Sequence, residues 1–206
     1  MKKSILLIDG ENFKYKIKEI LKKSPLVGKG LSVHDFNIGL LFDTLIKEKH
    51  LKEKIYYSAK LHFYKETAEK SNFLIKEQRK WKRKLENSGF NYIVSGHVRL
   101  QEVVDKFLGK KSYVFYEKGV DVRIAVDLVS FAYEKNASTV YLCSSDSDLQ
   151  PAIRSAKEKG LNIVYVGFEE SPNIGMTKTT NRTVLIRHSE ILECFESFDP
   201  WHSKRS

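Results

Sequence analysis

Cysteine, proline and long apolar runs are scarce in this sequence. Its 206 residues hold two cysteines, Cys143 and Cys194, and no C-x-x-C pair. That argues against a thiolate zinc site or a dithiol redox motif, and free thiols suit a reducing compartment. Cys143 lies in the apolar run Val140-Tyr141-Leu142-Cys143 and reads as a small buried hydrophobe. No Pro- or Ser-rich linker and no internal repeat breaks the chain, whose length fits one α/β domain or one domain with a small insertion. The expected boundaries are a single domain over residues 1–198, with residues 97–117 as a β-hairpin insertion, and a frayed tail over 199–206. No stretch approaches the roughly 20 apolar residues of a membrane span. Met1-Lys2-Lys3 followed by Ile5-Leu6-Leu7-Ile8 imitates a signal peptide, but the apolar run is too short and Asp9 ends it. The expected location is the cytoplasm, with no membrane partner. The six histidines show no ligand spacing, and no glycine-rich phosphate loop points to ATP or GTP hydrolysis.

What is present is a basic, core-forming composition. Hydrophobic residues make up 41%, enough for a substantial core, and the formal net charge is +10. A surplus of that size favours polyanionic partners, either nucleic acid or an anionic membrane surface. Charge alone identifies no site, because a lysine-rich surface also serves solubility.

The apolar periodicities predict strands alternating with helices. Residues 4–8 read as a buried parallel strand closed by the turn Asp9-Gly10. Helices are predicted over 13–23, 33–49, 67–87, 119–133, 149–159 and 189–195. Strands are predicted over 54–63, 91–94, 139–143, 162–166 and 184–186. In the strand at 54–63, Tyr56, Lys60 and His62 read as the polar face. Residues 97–104 and 112–116 are predicted to pair as a hairpin, and 169–182 reads as loop. This alternation argues for an α/β fold with a mostly parallel sheet covered on both faces, in which ligands bind beyond the carboxyl ends of the strands.

Acidic residues gather at those ends. Ile8-Asp9-Gly10-Glu11-Asn12 follows the first strand; Lys118-Gly119-Val120-Asp121-Val122, with Asp127 further on, opens a helix; Ser144-Ser145-Asp146-Ser147-Asp148 follows a later strand. Carboxylates collected at one sheet edge repel each other, and a hard divalent cation, which prefers oxygen ligands, relieves that repulsion. Such an ion can activate water and neutralise charge on a phosphodiester. Asn12 would hold a ligand or a phosphate oxygen without adding charge, while Ser144 and Ser145 would orient the carboxylates. Each segment also has a structural reading: Asp-Gly as a turn, Asp121 as a helix cap, Asp146 or Asp148 as the cap of the helix containing Pro151. Asp127 lies roughly 120° around its helix from Asp121, which fits either the cluster's periphery or a solvated face.

These blocks resemble the NYN family of PIN-like nucleases, including its bacterial stand-alone members. The family's Asp-Gly-x-Asn after an apolar strand is matched by Asp9-Gly10-Glu11-Asn12. Its Lys-Gly-Val-Asp-Val block with an Asp six residues on is matched by Lys118 to Val122 and Asp127. Its Ser-x-Asp-Ser-Asp block and Pro-x-Ile continuation are matched by Ser144 to Asp148 and Pro151-Ala152-Ile153. The region Gly160 to Phe168 is similar to the family's next helix-to-strand step. The resemblance spans residues 4–195, with little of it carried by 24–110. One departure is Ser145, where a glycine often precedes the Asp. The resemblance implies a PIN-like three-layer α/β/α sandwich and ribonuclease activity with Mg2+ or Mn2+. It implies Asp9, Asp121, Asp146 and Asp148 as catalytic and metal-binding positions, with Asp127 as a further metal candidate.

Two basic surfaces are candidates for RNA. The run Lys76 to Lys84 offers Arg79, Lys80 and Arg83 to phosphates and Trp81 for base stacking. The competing reading packs Trp81 and Leu85 on the core. Tyr113 and Tyr116, near Lys110, Lys111 and Lys118, form the second surface, and Lys118 adjoins the acidic block as a phosphate contact. The leading expectation is an endoribonuclease acting on single-stranded RNA. The alternatives are a non-catalytic RNA-binding module that keeps the acidic pocket, and a phosphatase of small esters. The phosphatase reading lacks the Asp-x-Asp-x-Thr signature of one common phosphatase class. A homo-oligomer is a further possibility, since a paired site helps a small basic domain hold long RNA.

Overall fold

The computed structural model describes residues 3–24, 31–47, 51–104 and 111–195. Within them the chain runs β1 (Ser4–Asp9), α1 (Gly10–Lys23), α2 (Ile38–Leu45), β2 (Leu51–Lys60), α3 (Ala68–Asn87), β3 (Asn91–Val104) and β4 (Lys111–Lys118). It continues through α4 (Val120–Tyr133), β5 (Thr139–Cys143), α5 (Gln150–Glu158), β6 (Asn162–Phe168), α6 (Ile174–Thr179), β7 (Arg182–Ile186) and α7 (His188–Glu193). The seven strands form one sheet in the order β4-β3-β2-β1-β5-β6-β7. All neighbours pair in parallel except β3 and β4.

Strand β1 lies at the centre, and its alternate residues serve two cores. Leu6 and Ile8 pack with Phe13 and Ile17 of α1, Phe42 of α2 and Trp81 of α3. Ile5 and Leu7 pack with Ile124 and Leu128 of α4 and Ile153 of α5. Burial on both faces explains why this strand is an unbroken apolar run and not an alternating one.

The same burial corrects the reading of β2. Tyr56, assigned to a polar face, is completely buried, as is Tyr57 beside it. Tyr56 satisfies its hydroxyl by donating to the carbonyl of Gly10 at 2.9 Å. The strand also ends at Lys60, so His62 lies beyond it.

Three further boundaries differ from expectation, each for a local reason. The helix predicted over 33–49 is a single 3-10 turn (Val33–Asp35) and then α2, because the Asn37 side chain accepts from the Leu40 amide and starts a new helix. The loop predicted over 169–182 contains α6, nucleated by Asn173, whose side chain accepts from the Met176 amide. The hairpin exists, but β3 is continuous from Asn91 to Val104, so the hairpin prolongs the sheet's own edge. The expected tail at 199–206 lies outside the described residues. Among the described residues, no helix is long and apolar enough to cross a membrane.

The order of the strands locates a site. From β1 the chain builds outward through β2 and β3 on one side, and from β5 outward through β6 and β7 on the other. The direction of winding therefore switches between β1 and β5. In open parallel sheets, the crevice beyond the carboxyl ends at such a switch is where ligands bind. Asp9 ends β1, and the Ser144-Ser145-Asp146 segment leaves β5.

Candidate active site

Asp9 has a structural and a chemical position at once. It is the N-cap of α1: one carboxylate oxygen accepts from the Asn12 amide at 3.1 Å. The other accepts from the Ser144 hydroxyl at 3.1 Å. Asp9 is only 7% exposed, and burial pushes its carboxyl above the ordinary range, with the charges of Asp146 and Glu11 adding to the rise. Among the described residues, the donors to Asp9 are the neutral Asn12 amide and Ser144 hydroxyl.

Ser144 ties the first and third acidic segments together. Its oxygen also accepts from the Asp146 amide at 3.2 Å. Asp146 caps the 3-10 turn Ser147–Leu149 by accepting from the Asp148 amide at 2.9 Å. Asn12 accepts from the Ser145 amide at 3.3 Å, so its side chain holds the loop after β5 against the start of α1.

The second segment arrives from the hairpin. Gly119, at φ +93°, caps α4 without a side-chain bond, and Asp121 lies in the first helical turn. Asp121 is therefore not the cap that a purely structural reading assigned to it. Asp9, Glu117, Lys118, Asp121 and Asp146 line one pocket of about 240 Å³. Three elements distant in sequence thus bring together the three aspartates predicted to form the site.

Asp127 does not join them. Its carboxylate accepts from the Tyr57 hydroxyl at 2.9 Å and from Arg123 at 2.9 Å, and it is absent from the pocket lining. Both partners hold it on the flank of α4, apart from the other three aspartates. Asp148 is exposed and lines, with Asp121 and Val126, a neighbouring apolar hollow between α4 and α5, not the acidic pocket. Trp81 is also corrected as a stacking residue. It is 2% exposed and makes T-shaped contacts with Tyr56 and His34, so its ring is committed to the core. Arg79, Lys80 and Arg83 are exposed on α3, and Lys80 pairs with Glu77 at 3.0 Å. Tyr116 is 56% exposed, whereas Tyr113 is half-buried.

Three site residues escaped the sequence reading. Glu117 lines the pocket, and burial together with Asp9 and Glu11 pushes its carboxyl up to about 7. The available signal was alternation in β4, where Tyr113, Phe115 and Glu117 share one side. Asn173 donates to the Ser145 carbonyl at 2.8 Å, and the Tyr165 hydroxyl lies 3.3 Å from the Ser145 hydroxyl. Nothing in the sequence marks this pair, because Asn173 reaches the site from α6, which reads as loop.

The donor chemistry fits a hard divalent cation: the pocket presents carboxylate oxygens with no thiol or imidazole among its lining groups. Among the described residues, no three His, Cys, Asp or Glu side chains close on a common point. The carboxylates line one pocket without yet converging.

A family model of the NYN domain matches residues 3–185. An uncharacterised protein of Methanocaldococcus jannaschii is 34% identical over 88 residues, which are 40% of this chain and 37% of that protein. The match thus covers well under half of that relative's length. Among solved structures, a protein of unknown function from Vibrio parahaemolyticus superposes with a TM-score of 0.58 at 16% identity, covering 90% of this chain and 93% of that one. That likeness supports the α/β fold alone. The chain belongs to the NYN domain family, whose members are generally nuclease-like.

Proposed function

We propose that this protein is a metal-dependent endoribonuclease of single-stranded RNA, built as a PIN-like three-layer sandwich and working in the cytoplasm. The observation that carries the proposal is the Ser144 hydroxyl. It donates to the Asp9 carboxylate and accepts from the Asp146 backbone amide, tying the end of β1 to the loop after β5, and Asp9, Asp121 and Asp146 line one pocket. A solvated turn or a helix cap needs no such cross-connection.

In this reading Asp9, Asp121 and Asp146 would hold Mg2+ or Mn2+. The ion supplies charge neutralisation at the phosphodiester and a lowered pKa for the attacking water. The protein's own residues do the rest. Ser144 and Asn12 hold the carboxylate-bearing segments in place, and such supporting contacts commonly matter 10–100-fold. Lys118, on the pocket wall, offers its ammonium to a phosphate oxygen. Glu117, with its raised carboxyl, can hold or release a proton at the pocket near neutral pH. Asp148 is a lesser candidate, near Asp121 but on the α4–α5 side.

Asp9→Asn and Asp146→Asn test the reading. Each is expected to reduce metal-dependent RNA cleavage by at least about 100-fold while circular dichroism and the unfolding midpoint show an intact fold. Wild-type cleavage rates in both variants would overturn the assignment. RNA binding without turnover in any metal would make the protein a non-catalytic RNA-binding module.

A further inference from the structure

A groove of about 590 Å³ adjoins the acidic pocket, and Glu117 lines both. Its size falls within the roughly 300–1,000 Å³ of ligand-binding clefts. One wall is a single face of α3: Lys70, Phe73, Leu74, Glu77, Gln78 and Trp81 follow helical spacing. The opposite wall is β4, through Tyr113 and Phe115. The lining is mostly apolar, yet the groove is open, and Phe73 is 61% exposed at its edge. Lys70 places its ammonium 4.9 Å from the centre of the Phe115 ring. Lys14 and Lys18 project from α1 along the same groove.

We propose that this groove binds the unpaired nucleotides flanking the cleaved bond, with a base stacking on Phe73 and phosphates meeting Lys14, Lys18 and Lys70. The inference rests on the nuclease reading above and adds where the substrate strand lies. Two observations select the occupant. The groove shares Glu117 with the acidic pocket, so a strand with its scissile phosphate at Asp9 and Asp146 has the groove beside it. Its aromatic surface is useful only to bases that are not already paired: a duplex presents phosphates and hides its ring faces, whereas a single strand stacks on aromatic side chains. Two of the three carboxylates inside it are paired, Glu11 with Lys14 at 3.2 Å and Glu77 with Lys80 at 3.0 Å, and the third, Glu117, lies where the groove meets the acidic pocket. The most basic run of α3 is turned elsewhere: Arg79, nine residues after Lys70, lies about 180° around the helix, and neither it nor Arg83 lines the groove.

Binding is measured with chelator present, so that cleavage does not intervene, on the full chain. The probes are a fluorescent single-stranded oligoribonucleotide and an abasic oligomer of equal length. Phe73→Ala, at an exposed position, is expected to weaken binding of the base-bearing strand about tenfold and to leave the abasic strand unchanged. Lys70→Ala is expected to weaken both and to lower the salt slope by about one. Tyr133→Ala, an equally exposed aromatic on α4 outside the groove, is the control and should change neither. Unaltered binding in Phe73→Ala, or equal weakening of both strands, overturns the groove assignment. Metal-dependent cleavage with no effect of Phe73→Ala would sink the groove and leave the nuclease standing. Base-dependent binding that Phe73→Ala abolishes, in a protein that cleaves nothing, would do the reverse.

Discussion

Glu117 shows what burying a single carboxyl costs. Burial raises its carboxyl to about 7 from an ordinary 4.5, and Asp9 and Glu11 add to the rise. The sign follows from proton uptake. Below pH 4.5 the group is protonated in both folded and unfolded chains. Between 4.5 and 7 the unfolded chain ionises first while the folded protein retains its proton, so stability declines as pH rises through that window and stays lowered above it. Glu117→Gln removes the effect. In metal-free buffer, denaturant unfolding should show the variant gaining about 1–3 kcal/mol over wild type between pH 4.5 and 8, the residue's partial exposure keeping the gain below the full value. A difference that does not change with pH would contradict the burial argument. The position of Asp9 was legible in the sequence because an unbroken apolar run ending in Asp-Gly marks the end of a buried strand, and the family resemblance singled out Asp9-Gly10-Glu11-Asn12. Glu117 was not, because its role depends on which side of an edge strand meets the sheet's crevice, and only register fixes that.

At the scale of elements, the hairpin delivers Asp121, and Gly96 lets it do so. β3 breaks register with β2 between Ser58 and Lys60, and Gly96 sits there with φ +73°. A Cβ on Gly96 would lie 2.2 Å from the carbonyl oxygen of Lys118, two residues before α4 begins. Gly96→Ala therefore has both a disfavoured dihedral and a backbone clash, each of order 1–3 kcal/mol. It should lower the unfolding midpoint and reduce cleavage more than a surface Gly89→Ala, whose Cβ would meet open space. Equal effects of the two variants would mean that the close approach at Lys118 is unimportant. Both elements of the hairpin were visible in the alternation of residues 97–104 and 112–116. The bulge was not, since an isolated glycine in a strand is ambiguous until its partner strand is known. Likewise α6 was hidden by its length of six residues, too short for a helical period to show.

For the molecule as a whole, the winding switch between β1 and β5 and the net charge of +10 point the same way. The first concentrates carboxylates at one crevice, and the second favours a polyanionic partner despite that local negative charge. The α/β architecture and the three acidic segments were readable in advance because buried parallel strands and strand-end aspartates are local patterns. The groove beside them was not, because its walls come from α1, α3, β2, β3 and β4, none of which shows a concave surface by itself.

The most direct test of the central claim is the fate of a 5′-labelled single-stranded RNA incubated with the wild-type protein in Mn2+, in Mg2+ and in chelator. Internal cleavage products in at least one metal, absent with chelator, are the expected result. Intact RNA under all three conditions, or cleavage that persists undiminished in chelator, would contradict it.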